Sequence, residues 1–163
     1  WSAEQLAANG IYEVVYDNSN LKDDRFYING AESFTFANDT VTASYTAAVG
    51  KALDDVNATD ENDVELDPVV VISGVKSIEK NQIKAQAASL LQSTDWYVVR
   101  NAESSTAVPA NVSTYRTAVR TKSNEMETAI DGAATVEAVE ALFTYTTGAD
   151  DVTSRPLGEW PKL

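Results

Sequence analysis

Short runs of alternating apolar and polar residues dominate the first third of the chain. The spacing of Ser2 and Gln5 predicts a helix cap, followed by a short helix near residues 3–8. Residues 11–16 are mostly β-branched or aromatic, as strands prefer. The Asn29-Gly30 pair predicts a hairpin turn, because a two-residue turn needs positions that tolerate a positive φ. Asn38-Asp39 marks another turn. We therefore expect a small antiparallel β-meander of about three or four strands.

Helical spacing replaces this alternation in the second half of the chain. Residues 76–92 are helix-forming throughout and place their apolar side chains on one face. A second helix is predicted over 109–131, because proline fits its first turn and an Asp-Gly pair supplies its stop. A third, shorter helix is expected over Val136–Phe143, with Thr135 as its cap.

The two patterns together predict an α+β fold, in which an N-terminal antiparallel β-meander is followed by a C-terminal helical hairpin and a third short helix. Residues 1–53 form the β-meander module, residues 54–67 an acidic linker, and residues 68–163 a helical module with an extended C-terminal tail. The linker is inferred because seven acids fall within 54–67. Their mutual repulsion favours an extended, solvated connector.

Composition removes most common catalytic chemistry from the chain. Its 163 residues include no His and no Cys, and the net charge is −13. Without these residues there is no imidazole base, thiolate nucleophile or disulfide. We therefore predict no enzyme activity, no catalytic residue, no metal site and no cofactor. The negative charge also disfavours nucleic acid and membrane partners. No apolar run is long enough to span a bilayer. No secretory signal is recognised in the sequence.

Aromatic residues in the second half are candidate anchors. Trp96 and Tyr97 are expected to hold the segment between the two long helices against the core, because aromatic side chains bury large areas. Trp160 lies in a tail that is too short to form a core of its own. It either folds back onto the helices or docks into a partner.

Basic residues concentrate on the second long helix. Arg116 and Arg120 lie four residues apart and share one strip of its surface. This strip suits a salt bridge with Glu103 or with the acidic first part of the chain. A nucleic-acid groove would need more cations and a less acidic background.

Several short motifs resemble those of the tail assembly chaperone family of tailed bacteriophages. That family has a helix ending in L-L-x-x-T-D-W, a polar loop with a proline, a Y-R-x-x-L-R helix and a terminal Trp-Pro. The matching segments are LLQSTDWY at 90–97, Val108-Pro109, YRTAVR at 115–120 and EWP at 159–161. Val119 departs from the family's usual Leu. Residues 121–158 also replace a short loop, and the N-terminal module is additional.

The resemblance implies a non-enzymatic protein that acts in tail or tail-fibre assembly, or as a structural component of the tail, through protein–protein contacts. Its partner would be a tail, baseplate or tail-fibre protein, or a second copy of the chain. Its location would be the virion or the cytoplasm of the infected bacterial host. The candidate partner-binding or hairpin-anchoring residues are Asp95, Trp96, Tyr97, Tyr115, Arg116, Val119, Arg120, Trp160 and Pro161.

In the expected geometry of this motif, Asp95 closes the turn and Trp96 fills the angle between the two helices. Tyr115 and Val119 lie on the facing surface, and Arg116 lies at the edge of the seam, within reach of an acidic partner.

Two other functions stay open at this stage. The aromatic residues of the N-terminal module suit a carbohydrate-binding module on a virion. A carboxylate-based glycoside hydrolase would need two acids about 5–10 Å apart in a cleft. The paired acids of this chain lie in hydrophilic turn segments, which disfavours that second alternative.

Overall fold

The computed structural model describes all residues, 1–163, in two compact units, Trp1–Lys51 and Ala52–Leu163. The α+β prediction is confirmed, since small sheets come first and helices follow. The first unit contains α1 (Ala3–Ala7), β1 (Val14–Asp17), β2 (Tyr27–Ile28), β3 (Glu32–Ala37), β4 (Thr40–Tyr45) and β5 (Val49–Gly50). The second contains β6 (Val56–Asn57), β7 (Val71–Ile72), α2 (Val75–Gln92), α3 (Asp95–Ser104), α4 (Ala110–Gly132), α5 (Val136–Phe143), β8 (Thr146–Thr147) and β9 (Thr153–Ser154). None of the helices is long and apolar enough to cross a membrane.

The N-terminal sheet is mixed, so the expected antiparallel meander is wrong in its connectivity. The strand order is β1-β4-β3, with β3 antiparallel and β1 parallel to β4. The short strand β2 pairs with β5 instead of with its sequence neighbours. Strand β1 therefore pairs with the β4 edge of the β3–β4 hairpin, which a parallel strand reaches only through a long connection.

The predicted turn at Asn38-Asp39 is confirmed and joins β3 to β4, whereas the hairpin predicted at Asn29-Gly30 does not form. Asn38 and Asp39 have φ values of 51° and 56°, which a two-residue turn of type I′ requires. Gly30 serves a different purpose, because an added Cβ would collide with Thr46. The glycine thus permits a close backbone approach. The predicted cap of α1 is confirmed, since Ser2 and Gln5 exchange both bonds of a capping box.

The acidic segment 54–67 belongs to the second unit and is not an extended linker. Strand β6 within it pairs antiparallel with β7. The carboxylate of Asp60 accepts hydrogen bonds from the N–H groups of Asn62 at 2.8 Å and Val64 at 3.0 Å. These bonds, that of Val64 first, lower the pKa of Asp60. Backbone amides that bind a carboxylate thus offset the repulsion expected to extend the segment.

The start of this segment caps α2. The N–H of Gly74 donates to Asp55 Oδ1 at 2.8 Å, and the N–H of Val75 donates to the Ala52 carbonyl at 2.9 Å. Donors at a helix N-terminus have no partner within the helix, so these acceptors satisfy them. An added Cβ on Gly74 would meet the Asp54 backbone, which explains why glycine occupies this position.

Helices α2 and α4 form the predicted antiparallel hairpin, and the bounds of α5 match the prediction. Thr135 caps α5 by accepting the N–H of Ala138 at 3.2 Å. Lys80 interrupts the apolar face of α2 and pairs with Asp131 at 2.7 Å. This hydrogen-bonded pair raises the pKa of Lys80. The core beside it consists of Ile83, Met126, Ile130 and Leu157.

Gly74→Ala is expected to lower the free energy of unfolding by about 1–3 kcal/mol, because the new methyl group forces the 52–55 segment away from α2. Chemical denaturation followed by circular dichroism measures this change. Gly132→Ala is the matched control, since nothing lies within 4 Å of its Cβ position. Equal stability of the two variants would contradict the close approach at Gly74.

Asp55→Asn is expected to remove part of the acid sensitivity of the protein. The Gly74 N–H, followed by Ser77, lowers the pKa of Asp55. A carboxyl with a lowered folded pKa contributes stability above its unfolded pKa of about 4 and loses that contribution as the pH falls through the folded value. The stability difference between wild type and variant should therefore be constant near neutral pH and shrink in acid. A difference that is independent of pH in acid would contradict the role of the charge.

Candidate functional site

The candidate site is the corner at which α2 ends and α3 begins. Thr94 forms the bend with φ −113° and ψ 0° and is almost completely buried. Its hydroxyl donates to the Leu91 carbonyl at 2.8 Å. That carbonyl lies in the last turn of α2, where carbonyl groups lack partners within the helix. The Leu91 carbonyl also accepts the backbone N–H of Thr94 at 3.0 Å.

Arg116 of α4 adds a charged donor to this corner from across the hairpin. Its Nη1 donates to the Leu91 carbonyl at 3.0 Å and to Thr94 Oγ1 at 2.6 Å. The same nitrogen lies 2.9 Å from Asp95 Oδ1. A cation is favourable at a helix C-terminus and an acid at the following N-terminus. Arg116 is only 8% exposed, so it fills the corner between α2 and α3.

The partner of Arg116 is therefore Asp95, and not Glu103 or the acidic first part of the chain. Arg116 was expected at the edge of the seam, available to another protein, whereas the structure places it inside. Asp95 closes the turn as expected, through this ion pair. Arg120 lies one turn further along α4 and is exposed. It borders a cavity of about 210 Å³ between α3 and α4.

Tyr115 and Val119 lie on the buried face of α4. The Tyr115 hydroxyl is 3.4 Å from the Leu90 carbonyl. Val119 packs with Tyr115 and Ala87 in one apolar cluster. Both residues therefore line the contact with α2, on the surface that the sequence assigned to them.

The C-terminal tail folds back onto the helices, which decides between the two alternatives for Trp160. Its indole N–H donates to Gln86 Oε1 at 2.9 Å, and its ring packs against both apolar clusters of the unit. Leu157 is buried, and its N–H donates to the Leu142 carbonyl at 3.0 Å. Pro161 follows and lines a groove along the outer face of α4.

Trp96 does not fill the angle between the helices, so this expectation is wrong. Asp95 already faces Arg116, and the next residue of a helix is rotated by about 100°. Trp96 consequently points away from α4 and is 51% exposed. Its ring lies 3.9 Å from that of Tyr97, and the Arg100 guanidinium lies 4.7 Å from its centroid. Val99 is also exposed, and we call these four residues the α3 cluster.

Helix α3 contains no buried residue, although it carries this apolar and aromatic side-chain set. The Nε atom of Arg100 is shielded from solvent and has no hydrogen-bond partner. The α3 cluster therefore lies on the surface of α3 rather than in the core.

A groove of about 610 Å³ lies along the outer face of α4. Its two acids are Glu125 and Glu159, both well exposed. Glu125 lies 3.8 Å from Lys122, and Glu159 accepts the Tyr145 hydroxyl at 2.7 Å. A general acid of a glycosidase is instead a desolvated carboxyl with a raised pKa. Nowhere do three acidic residues gather in a way that could hold a metal ion.

Sequence reasoning missed Thr94 and Gln86 as site residues. Thr94 belongs to the matched segment, but its role depends on Arg116, which lies 22 residues away. Gln86 is a polar residue on an exposed helix face, and no local pattern distinguishes it from its neighbours. Arg100 had a detectable signal, since Trp96 and Arg100 are four residues apart on one helix face.

A scan against models of known protein families matches none, and searches of the curated proteins and of the solved structures find no significant match. The resemblance to tail assembly chaperones therefore stays a prediction.

Arg116→Met is expected to lower the free energy of unfolding by about 1–3 kcal/mol, because the Leu91 carbonyl and the Thr94 hydroxyl lose a buried donor. Thermal and chemical denaturation measure this change. Arg120→Met is the matched control on the next turn of α4, with an expected change within about 0.5 kcal/mol. A loss at Arg120 as large as that at Arg116 would show that helix surface charge, and not the corner, is responsible.

Proposed function

We propose that the protein is a non-enzymatic interaction protein that contacts another protein through the α3 cluster. The observation that carries this proposal is the position of Trp96, which is held in place on an ordered helix yet is half exposed. Residues that dominate binding energy in interfaces are enriched in Trp, Tyr and Arg, and the cluster combines all three.

The corner supports this proposal by fixing the direction of α3. Arg116 ties the last turn of α2 to the first residue of α3 through three contacts. A surface that is ordered before binding loses less conformational entropy when the complex forms. The contacts between Arg100 and the rings of Trp96 and Tyr97 restrict these side chains further.

The sequence resemblance supports the identity of the partner. On that ground we propose a tail, baseplate or tail-fibre protein of a tailed bacteriophage, with the protein located in the virion or in the infected host cytoplasm. It would act there either as an assembly chaperone or as a permanent component. A chaperone must be released and would bury a modest interface, whereas a permanent component would bury a larger one.

Trp96→Ala is expected to weaken binding to the partner about tenfold or more, because an exposed anchor contributes mainly to the interface. The measurement is affinity purification of the full chain from infected cells, followed by titration against the tail or fibre protein that is identified. Thermal stability of the variant should stay close to that of wild type.

Tyr145→Ala is the matched control, since Tyr145 is also 51% exposed but lies outside α3. Equal retention of the partner by wild type and Trp96→Ala would contradict the α3 contact. Absence of every tail and fibre protein from the purified complexes would contradict the phage assignment. Binding to a glycan without a protein partner would instead favour the carbohydrate-binding alternative.

A further inference from the structure

Strand β3 has a free edge along its whole length. It pairs with β4 on one side and has no neighbouring strand on the other, and all of its residues are exposed. The N–H of Thr46 donates to the Ala31 carbonyl. Because antiparallel pairs alternate, Ser33, Thr35 and Ala37 direct their backbone groups toward β4. The backbone N–H and C=O groups that point away from β4, toward the free edge, therefore belong to the other residues of β3.

These outward residues are Glu32, Phe34 and Phe36. The phenylalanine rings lie on one face of the sheet and are 60% and 57% exposed. Free edges in natural sheets are usually protected by charges, prolines or bulges. None of these protects β3 between Glu32 and Asp39. The residues between them include no charge and no proline, and the continuous register with β4 shows that the strand has no bulge.

The other free edge of the sheet is protected. Strand β1 begins directly after Glu13 and ends with Asp17. An approaching strand would therefore meet an acid at each end of only three uncharged residues. The two edges thus differ in the length of their uncharged stretch, which is three residues in β1 and six residues, 33–38, along β3 and its turn.

The β3 sequence is complementary to itself. In an antiparallel pair centred on Thr35, Phe34 of one copy lies opposite Phe36 of the other. The outward backbone groups of the two strands then face each other in hydrogen-bonded pairs. Glu32 falls opposite Asn38, so no two acids meet. Cross-strand aromatic pairs stabilise such a contact, whereas directly opposed like charges would oppose it.

We propose that β3 pairs with β3 of a second copy of this chain about a two-fold axis at Thr35. The two three-stranded sheets then become one continuous sheet of six strands. Such an isologous contact closes on itself. A single strand pair with its phenylalanine rings buries an area at the low end for specific interfaces, so the dimer should depend on concentration. The inference is independent of the α3 contact.

The test is sedimentation velocity of the full chain across a dilution series. Wild type should shift from monomer to dimer as its concentration rises. Thr35→Lys should stay monomeric, because two ammonium groups would lie directly opposite each other. Thr35→Glu should also stay monomeric. An equal mixture of the two variants should form dimers again, since Lys then lies opposite Glu.

Val15→Lys is the matched control. Val15 lies on the same face as Thr35, at the opposite edge of the sheet, and is also exposed. This variant should dimerise like wild type. Loss of the dimer in Val15→Lys with retention in Thr35→Lys would assign the contact to β1 and overturn the proposal. A wild type that is monomeric throughout, or a mixture that fails to dimerise, would overturn it as well.

Hydrogen exchange of wild type provides a readout that needs no variant. The N–H groups of Phe34 and Phe36 should exchange slowly in the dimer and rapidly after dilution. Exchange that is equally fast at both concentrations would contradict strand pairing. Unchanged dimerisation of Trp96→Ala would separate this contact from the one proposed for α3.

Discussion

One buried guanidinium determines the geometry of the helical unit. Arg116 satisfies the end of α2, holds the Thr94 hydroxyl and pairs with Asp95 at the start of α3. A cation in this position complements a helix C-terminus and an acid at the next N-terminus. Because Asp95 faces α4, Trp96 is rotated by about 100° from this contact, lies outside the angle between the helices and is half exposed.

Helices α1, α2, α4 and α5 could be predicted from the sequence because their signals are local, whereas α3 was expected only as the segment between the two long helices. Caps such as Thr135 and the apolar spacing of α2 and α4 lie within a few residues of the structure that they specify. The turn at Asn38-Asp39 could be predicted for the same reason. The hairpin expected at Asn29-Gly30 does not form, because β2 pairs with the more distant strand β5, and local sequence carries no signal for that pairing. Segment 54–67 was misinterpreted because the amides that its acids bind are invisible in a charge count.

The two units reach stability by different means. The second has apolar clusters that draw on α2, α4, α5 and the tail. In the first unit the buried apolar residues are Phe26, Tyr27 and Ala43. A small unit buries a lower fraction of its surface than a large one, and here much of the sheet stays exposed.

The position of the candidate site along the chain could be predicted from the sequence. That Arg116, and not Trp96, fills the angle between the helices could not be predicted, because it depends on the rotation of α3 about its axis.

The fold-back of the tail has a consequence for the order of events during synthesis. Leu157 and Trp160 complete the apolar clusters formed by residues much earlier in the chain, such as Ile83 and Met126. A nascent chain that stops before residue 157 leaves those side chains uncovered on the ribosome. The hairpin can therefore pair early but reaches its final packing late, and transiently exposed apolar surface of this kind is what holding chaperones bind.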